Sequence, residues 1–205
     1  MKMNIRYKDL KMKLIRKIKS ILQGLLQKPF LKSLSALPNS GLVTLYDVGA
    51  AEFIQQRWMI YTKFLNYVGF EPDERSYKDL LESDNSEKCH SYNILKFALW
   101  DSETEMSLNL CSVPQVSSFY SPNIDFLEKF PNPERFNIAG NEKISVTKMD
   151  NLNISSPDFM KLDIQGGELN ALKGASLYLN DTLGLELEVE FIELYSDQPI
   201  IRRCL

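Results

Sequence analysis

Short apolar runs alternate with stretches of helical periodicity along most of the chain. The run from Val43 to Val48 predicts a first strand, Phe53 to Asn66 predicts a helix, and Tyr67 to Phe70 predict a second strand. Another helix is predicted over Glu74 to Leu81. This alternation is typical of βαβ units, so we expect an α/β fold with a mostly parallel sheet.

The alternation is interrupted once in the second half of the chain. Tyr92 to Leu99 predict an extended segment, and the alternating Met106, Leu108 and Leu110 predict an added strand. Residues 112–141 are rich in Pro, Ser and Asn, which predicts an irregular insertion with one short helix at Ile124 to Phe130.

The sheet is expected to resume after this insertion. Ile144 to Met149 and Asp158 to Ile164 predict two strands, and a Gln-Gly-Gly turn follows the second of them. Glu168 to Leu179 predict a helix, and Leu183 to Phe191 predict the last strand.

The first forty residues differ in character from the rest. Residues 5–28 are rich in lysine and carry apolar residues at helical spacing, namely Leu14, Ile18, Ile21, Leu22 and Leu25. We therefore divide the chain into a basic helical extension, residues 1–40, and one domain, residues 41–205. The amphipathic helix either docks on the edge of the domain or lies on an anionic membrane surface, and the sequence leaves both alternatives open.

Composition narrows the classes of function. The chain has 205 residues and a formal net charge of −3, which provides no basic face for nucleic acid, so we expect a small-molecule partner. Its three cysteines are widely spaced and predict neither a disulfide framework nor a thiolate zinc site. No apolar run approaches the roughly 20 residues that span a bilayer. We expect a soluble protein in a reducing cytoplasm, and the oligomeric state is not indicated.

Small and acidic residues close the first two predicted strands. Asp47, Gly49 and Ala50 form the turn after the first strand, where glycine permits a sharp bend and close approach of a ligand. Glu71 follows the second strand, and a carboxylate there can accept hydrogen bonds from both ribose hydroxyls of an adenosine cofactor. The turn continues into Glu52 and lacks the glycines that a pyrophosphate needs. It therefore favours S-adenosylmethionine, a sulfonium without phosphate, over a nicotinamide cofactor.

A second acidic turn lies in the segment 158–175. It places Asp163 at a strand end and Glu168 at the start of a helix, with two glycines between them, so we expect both carboxylates to face the cleft. A hydroxyl acceptor benefits from a base that removes its proton, and Asp163 is the first candidate for that base. The same two carboxylates are also able to bind a divalent cation, but we assign no metal ligand. His90 lies in a polar loop and is left out of the site.

Two further groups of residues are candidates for contact with the acceptor. Three glutamates alternate on the last predicted strand and share one face, which we expect to line a cleft or to face solvent. They are Glu186, Glu188 and Glu190, with Glu190 as the expected acceptor contact. The candidates for a lid lie in the insertion and are Ser117, Ser118 and Tyr120.

Four segments, in this order and spacing, resemble the FkbM family of methyltransferases. They are Phe70 to Asp73, Ser117 to Asn123, the segment 158–175 and Leu185 to Phe191. The resemblance spans about residues 43–200 and implies a Rossmann-like class I methyltransferase sheet, S-adenosylmethionine as methyl donor, and often O-methylation of sugar or polyketide hydroxyls. The predicted cofactor-binding residues are Asp47, Gly49, Ala50, Glu71, Asp101 and Asp163, and the predicted catalytic pair is Asp163 and Glu168.

The chain differs from the family pattern in two places. Glu52 or Phe53 stands where the family usually has another glycine, and the family core continues past the segment Tyr195 to Pro199 through another helix and strands. We therefore expect the last strands of a seven-stranded sheet to be missing. Two hypotheses stay open: an active methyltransferase that acts on a small-molecule hydroxyl, and a non-catalytic remnant or binding module of the same fold. The turn chemistry disfavours a third, a nicotinamide-dependent oxidoreductase.

Overall fold

The computed structural model of the chain describes residues 42–51, 54–83 and 87–201. The predicted amphipathic helix of the N-terminal extension, Glu52 and Phe53 therefore lie outside the described residues. The described residues between 43 and 201 belong to one compact unit. In the part of the chain that is described, no helix combines the length and the apolar character needed to cross a membrane.

Strands and short helices alternate through the described residues. The strands are β1 (Val43–Val48), β2 (Leu65–Phe70), β3 (Ser91–Leu95), β4 (Ala98–Leu99), β5 (Thr104–Cys111), β6 (Ile138–Thr147), β7 (Phe159–Leu162) and β8 (Gly184–Leu187). The α-helices are α1 (Glu74–Leu81), α2 (Ile124–Leu127), α3 (Glu168–Lys173) and α4 (Ser176–Leu179). Short 3₁₀ helices cover Met59–Phe64, Pro114–Val116, Pro133–Phe136 and Met149–Asn151.

The central sheet confirms the expected α/β fold. Its five strands follow the order β3-β2-β1-β7-β8, and every neighbouring pair is parallel. The strand order reverses between β1 and β7, as it does in a Rossmann-like sheet. A separate three-stranded sheet has the order β4-β6-β5, in which β5 and β6 are antiparallel.

The core lies against the middle of the central sheet. Tyr46 of β1 and Phe70 of β2 are fully buried, and their rings meet edge to face with centroids 5.4 Å apart. Met160 of β7 and Tyr178 of α4 pack into the same cluster. Each large apolar side chain that is fully buried contributes roughly 1.5–3 kcal/mol, so this cluster fixes β1 and β7 side by side.

Two predicted elements agree with the structure to the residue, whereas the helix predicted before β2 is wrong. β1 and α1 have the predicted bounds. The helix predicted over Phe53 to Asn66 is instead a 3₁₀ helix, Met59–Phe64, and β2 begins at Leu65. Leu65 is fully buried and pairs with Val43, so sheet pairing overrides the helical periodicity of this stretch.

Pairing between distant segments explains the other differences in the strands. The irregular insertion ends before residue 141, because β6 already begins at Ile138, which pairs with Cys111 at the end of β5. Tyr92 to Leu99 divide into β3 and β4, which belong to different sheets. The last predicted strand is confined to β8, so Glu186 alone of the three alternating glutamates lies in a strand.

The helix predicted over Glu168 to Leu179 is broken into α3 and α4. The break falls at Gly174, whose backbone packs directly against the carbonyl of Trp100. A side chain at residue 174 would overlap that carbonyl, so the close approach requires glycine. The amide of Asp150 also donates to the Gly174 carbonyl at 2.9 Å, which ties the break to the segment that precedes β7.

The contact between Gly174 and the Trp100 carbonyl predicts that one methyl group added at residue 174 destabilises the protein. We expect Gly174→Ala to lower the free energy of unfolding by about 2 kcal/mol, because the new Cβ is forced into backbone rather than into a flexible side chain. Gly140→Ala is the matched control, since nothing lies within 4 Å of a Cβ at that position, and its effect should stay within about 0.5 kcal/mol. Urea unfolding of both variants measures the difference, and equal effects would contradict the proposed packing.

Candidate active site

A cavity of about 480 Å³ opens at the carboxyl ends of the central strands. Gly49 follows β1, Glu71 follows β2 and Asp163 follows β7, and all three line it. Glu188, just beyond β8, lines it as well. The cavity spans the point between β1 and β7 where the strand order reverses, which is where open α/β sheets bind their ligands.

The opposite wall of the cavity comes from the irregular insertion. Ser117 and Ser118 line it, and both hydroxyls are engaged. The Ser117 Oγ accepts from the amide of Cys111 at 3.1 Å, and the Ser118 Oγ donates to the carbonyl of Gln165 at 2.7 Å. Tyr120 packs against Trp100 instead and is not among the described lining residues. Two of the three lid candidates thus belong to a fixed wall tied to the turn after β7.

The turn after β1 has the geometry for which glycine was predicted. Gly49 has a φ of 80°, and its amide donates to the carbonyl of Phe70 at 3.0 Å. A Cβ on Gly49 would overlap the carbonyl of Asp163. Ala50 is completely buried and donates to the same Phe70 carbonyl, at 3.2 Å, while its neighbour Ala51 lines the cavity. The turn therefore holds the ends of three strands together.

Asp47 lies beneath the cavity in a buried network. Its Oδ1 accepts from the Lys161 Nζ at 2.9 Å, and its Oδ2 accepts from the Tyr67 hydroxyl at 2.8 Å. Burial alone would lower the pKa of the Lys161 ammonium, but attraction to Asp47 and Asp163 raises the pKa overall, which favours the charged lysine. Asp47 is not among the described residues that line the cavity, and its contact with a cofactor stays a prediction.

Gln165 holds two carboxyl groups at the cavity wall. Its Nε2 donates to the Asp163 Oδ1 at 3.0 Å and to the Glu188 Oε2 at 2.8 Å. Its Oε1 accepts from the buried Tyr195 hydroxyl at 2.8 Å, and its backbone has the uncommon φ of 57°. Burial, and then contact with the Asp163 carboxyl, raise the pKa of Glu188 to about 8. Glu188 therefore holds a proton near neutral pH.

Glu71 presents a further carboxyl group at the cavity wall. Its side chain is buried, and Oε1 accepts from the amide of Asp73 at 2.8 Å. Burial raises the pKa of Glu71 to about 7. Asp73 caps the start of α1 and is paired with Arg75, which also donates to the carbonyl of Cys111 at 3.0 Å. Glu71 thus lies at the cavity wall, and its contact with a cofactor stays a prediction.

Glu168, the second member of the predicted catalytic pair, does not join Asp163 in this cavity. Its Oε1 accepts from the amide of Ile164 at 2.8 Å, and its Oε2 accepts from that of Gly166 at 3.0 Å. Burial raises the pKa of Glu168 to about 7. The carboxyl group braces the turn after β7 and faces a separate, smaller recess, which Glu190 also lines. The expectation that Asp163 and Glu168 face one cleft is therefore not met.

The remaining candidates take other positions. Asp101 accepts from the Asn170 Nδ2 at 3.0 Å and is not among the described residues of the cavity wall. Glu186 forms an ion pair with Arg57, and Glu190 faces the smaller recess. Glu188 is consequently the member of the glutamate series at the main cavity. Among the described residues, no group of three or more acidic, histidine or cysteine side chains is arranged to hold a metal ion.

Sequence reasoning missed several residues of the site. The ion pair of Lys161 could have been predicted, because a lysine inside the apolar run Phe-Met-Lys-Leu needs a carboxylate partner when the strand is buried. No local sequence pattern indicates the positions of Gln165, Tyr195 and Arg135. Their positions depend on contacts between the insertion, the turn after β7 and the segment after β8, which lie far apart in sequence.

Comparison with known proteins identifies the family. Residues 47–203 match the model of the methyltransferase FkbM domain. A solved structure, methyltransferase FkbM from Methylobacillus flagellatus KT, aligns over 72% of this chain with 16% identity and a TM-score of 0.43. This chain covers 33% of the length of that protein. No curated protein sequence matches the chain. Because the domain match covers most of its length, the chain belongs to the FkbM family of methyltransferases.

Proposed function

We propose that the chain binds S-adenosylmethionine in the cavity at the strand ends and methylates a hydroxyl group of a small molecule, such as a sugar or a natural product. The observation that carries this proposal is the position of the Glu71 carboxyl group. It lines the cavity beside the Gly49 turn, at the point where the strand order reverses. We also infer a cytoplasmic location, where scattered cysteines stay reduced.

The residues of the cavity fit this cofactor better than a dinucleotide. A carboxylate at Glu71 is suited to accept hydrogen bonds from the two ribose hydroxyls. The Gly49 turn lets the backbone approach a ligand closely. Carboxyl groups of Glu71, Asp163 and Glu188 surround the cavity, which favours a sulfonium cation and opposes a pyrophosphate. When bound, the cofactor supplies an electrophilic methyl group.

The carboxyl group of Asp163, held beside that of Glu188, is suited to take up the proton of the acceptor. Methyl transfer forms an O–C bond and breaks the C–S bond, while the hydroxyl proton must leave the acceptor oxygen. Near neutral pH the raised pKa keeps Glu188 protonated, so we assign proton uptake to the neighbouring Asp163. We retain Asp163 as the base and place Glu188 beside it, with Glu168 bracing the turn.

Calorimetry distinguishes this proposal from its alternatives. An active methyltransferase should bind S-adenosylmethionine with a dissociation constant on the order of micromolar to sub-millimolar, the range typical of substrate and cofactor sites. The same protein should show no heat with NAD. A folded sample with no affinity for S-adenosylmethionine would favour the non-catalytic remnant or binding module, and preference for NAD would favour the oxidoreductase.

Glu71 predicts a pH dependence of cofactor affinity. With a pKa of about 7, Glu71 is mostly protonated at pH 6 and mostly ionised at pH 8, and the ionised form alone accepts hydrogen bonds at both oxygens. Affinity for S-adenosylmethionine should therefore rise about tenfold from pH 6 to pH 8. Glu71→Gln should remove this rise and weaken binding at pH 8 by roughly tenfold or more. Calorimetry at both pH values measures this.

Glu74→Gln is the matched control for that experiment. Glu74 lies three residues away on the exposed surface, where it pairs with Lys78 and Lys96. This variant should bind as the unmodified chain does at each pH. An equal loss in Glu71→Gln and Glu74→Gln, or a pH profile that Glu71→Gln leaves unchanged, would show that Glu71 does not hold the cofactor.

The Asp163 and Glu188 pair predicts a pH dependence of stability. Because folding raises the pKa of Glu188 from its ordinary value to about 8, the folded state binds the extra proton between those values. Stability therefore falls as pH rises from the ordinary pKa of glutamate to about 8, and this fall levels off above the pKa of the folded state. Glu188→Gln cannot ionise, so its melting temperature should fall less between pH 6 and pH 9 than that of the unmodified chain. The same dependence of melting temperature on pH in both proteins would refute the raised pKa of Glu188.

A further inference from the structure

Arg135 is an exception in the charge of the cavity wall. It is the one basic residue among the described residues that line the cavity. The acidic lining residues are Glu71, Asp73, Asp163 and Glu188. Glu71 and Asp73 follow β2, and Asp163 follows β7. Arg135 instead belongs to the insertion that forms the opposite wall. The cavity therefore has acidic strand ends and a single basic residue in its other wall.

The Arg135 side chain rests on a rigid support. It lies in the 3₁₀ helix Pro133–Phe136, and its guanidinium carbon is 4.7 Å from the centre of the Phe136 ring. Phe136 is buried and meets the Tyr195 ring edge to face at 5.9 Å. The Arg135 carbonyl accepts from the amide of Val113 at 3.2 Å. Stacking on a buried ring limits the positions that this guanidinium takes up.

The guanidinium has no protein partner for its charge among the described residues. Arg135 is an exposed residue at the rim of the cavity wall, whereas two more deeply buried cations near the cavity do have such partners. Arg75 is held by Asp73 and the carbonyl of Cys111, and Lys161 is held by Asp47. No carboxylate of the described chain forms an ion pair with Arg135. A fork of N–H donors is thus left available at the wall of the cavity.

We propose that Arg135 binds an anionic group of the methyl acceptor, and that the acceptor is therefore a hydroxylated small molecule bearing a carboxylate or a phosphate. This inference rests on the proposed function of the cavity. A guanidinium presents a planar fork that matches the paired oxygens of either anion. Cofactor and acceptor then meet opposite charges, with the sulfonium near the acidic strand ends and the anion at Arg135.

Two partly exposed apolar side chains indicate that the acceptor also has an apolar surface. Phe97 is 40% exposed and Val113 is 37% exposed, and both line the cavity. Val113 adjoins Arg135 through the backbone hydrogen bond between them. An acceptor with an apolar face, such as a sugar ring or an acyl chain, would cover these side chains. The class that fits is an acidic sugar or an acidic hydroxylated natural product.

The test measures binding of three probes to the whole chain at constant ionic strength, followed by the Nε–Hε signals of arginine in ¹H–¹⁵N spectra. The probes are glucuronate, glucose 6-phosphate and neutral glucose. At least one anionic probe should bind roughly tenfold more tightly than glucose and shift the Arg135 signal, because hydrogen bonds to charged groups add that much affinity. The two anionic probes distinguish a carboxylate from a phosphate.

Substitutions show whether Arg135 is responsible. Arg135→Gln should abolish the preference for the anionic probe, and Arg135→Lys should keep part of it, since lysine retains the charge but not the fork. Lys129→Gln is the matched control. Lys129 also lies over an aromatic ring, 5.4 Å from the centre of Phe126, but is not among the described residues of the cavity wall. Its loss should leave the preference unchanged.

The outcomes separate this inference from the proposed function. Equal binding of all three probes, binding of none, or equal losses in Arg135→Gln and Lys129→Gln would overturn it. It would also be overturned if Arg135→Gln weakened S-adenosylmethionine as much as the anionic probe, because Arg135 would then hold the carboxylate of the cofactor. Normal affinity for S-adenosylmethionine alongside any of the first three results would leave the proposed function intact.

Discussion

A buried ion pair between Lys161 and Asp47 holds the two central strands together at the point where the strand order reverses. The two groups are almost fully buried and lie 2.9 Å apart, with Asp47 on β1 and Lys161 opposite it on β7. A third group, the Tyr67 hydroxyl on β2, completes the network. Removing one member of such a pair leaves an uncompensated charge in the core, at a cost of about 3–5 kcal/mol.

The cavity follows from this junction. β1 and β7 end side by side, so the turn at Gly49 packs against the carbonyl of Asp163. This contact leaves no room for a side chain at residue 49. Lys161 also lies 3.5 Å from the carboxylate of Asp163, a residue that lines the cavity. Gln165 then joins Asp163 to Glu188 and, through Tyr195, to the insertion that forms the far wall. The ion pair thus supports the groups to which we assign cofactor binding and proton uptake.

Features that depend on contacts between neighbouring residues could be predicted from the sequence. Features that depend on contacts between distant segments could not. β1, α1 and the acidic residues at the strand ends are encoded within a few neighbouring residues, and their positions could be predicted. The start of β6 depends on its pairing with β5, and the break after α3 depends on the carbonyl of Trp100. The orientation of Glu168 could not be predicted, because a glutamate at this spacing from Asp163 is equally suited to face the cleft or to accept hydrogen bonds from the amides of the turn. Arg135 reaches the cavity only through packing of the insertion, which no local pattern specifies.

A double-mutant cycle on the ion pair tests this account most directly. Asp47→Asn, Lys161→Met and the double variant would be unfolded in urea at pH 7, with S-adenosylmethionine affinity measured on the folded samples. We predict that each single substitution lowers the free energy of unfolding by about 3 kcal/mol and that the double variant loses clearly less than the sum. Cofactor affinity should fall in both single variants. Small, additive losses of stability with unchanged affinity would contradict the central place of this pair.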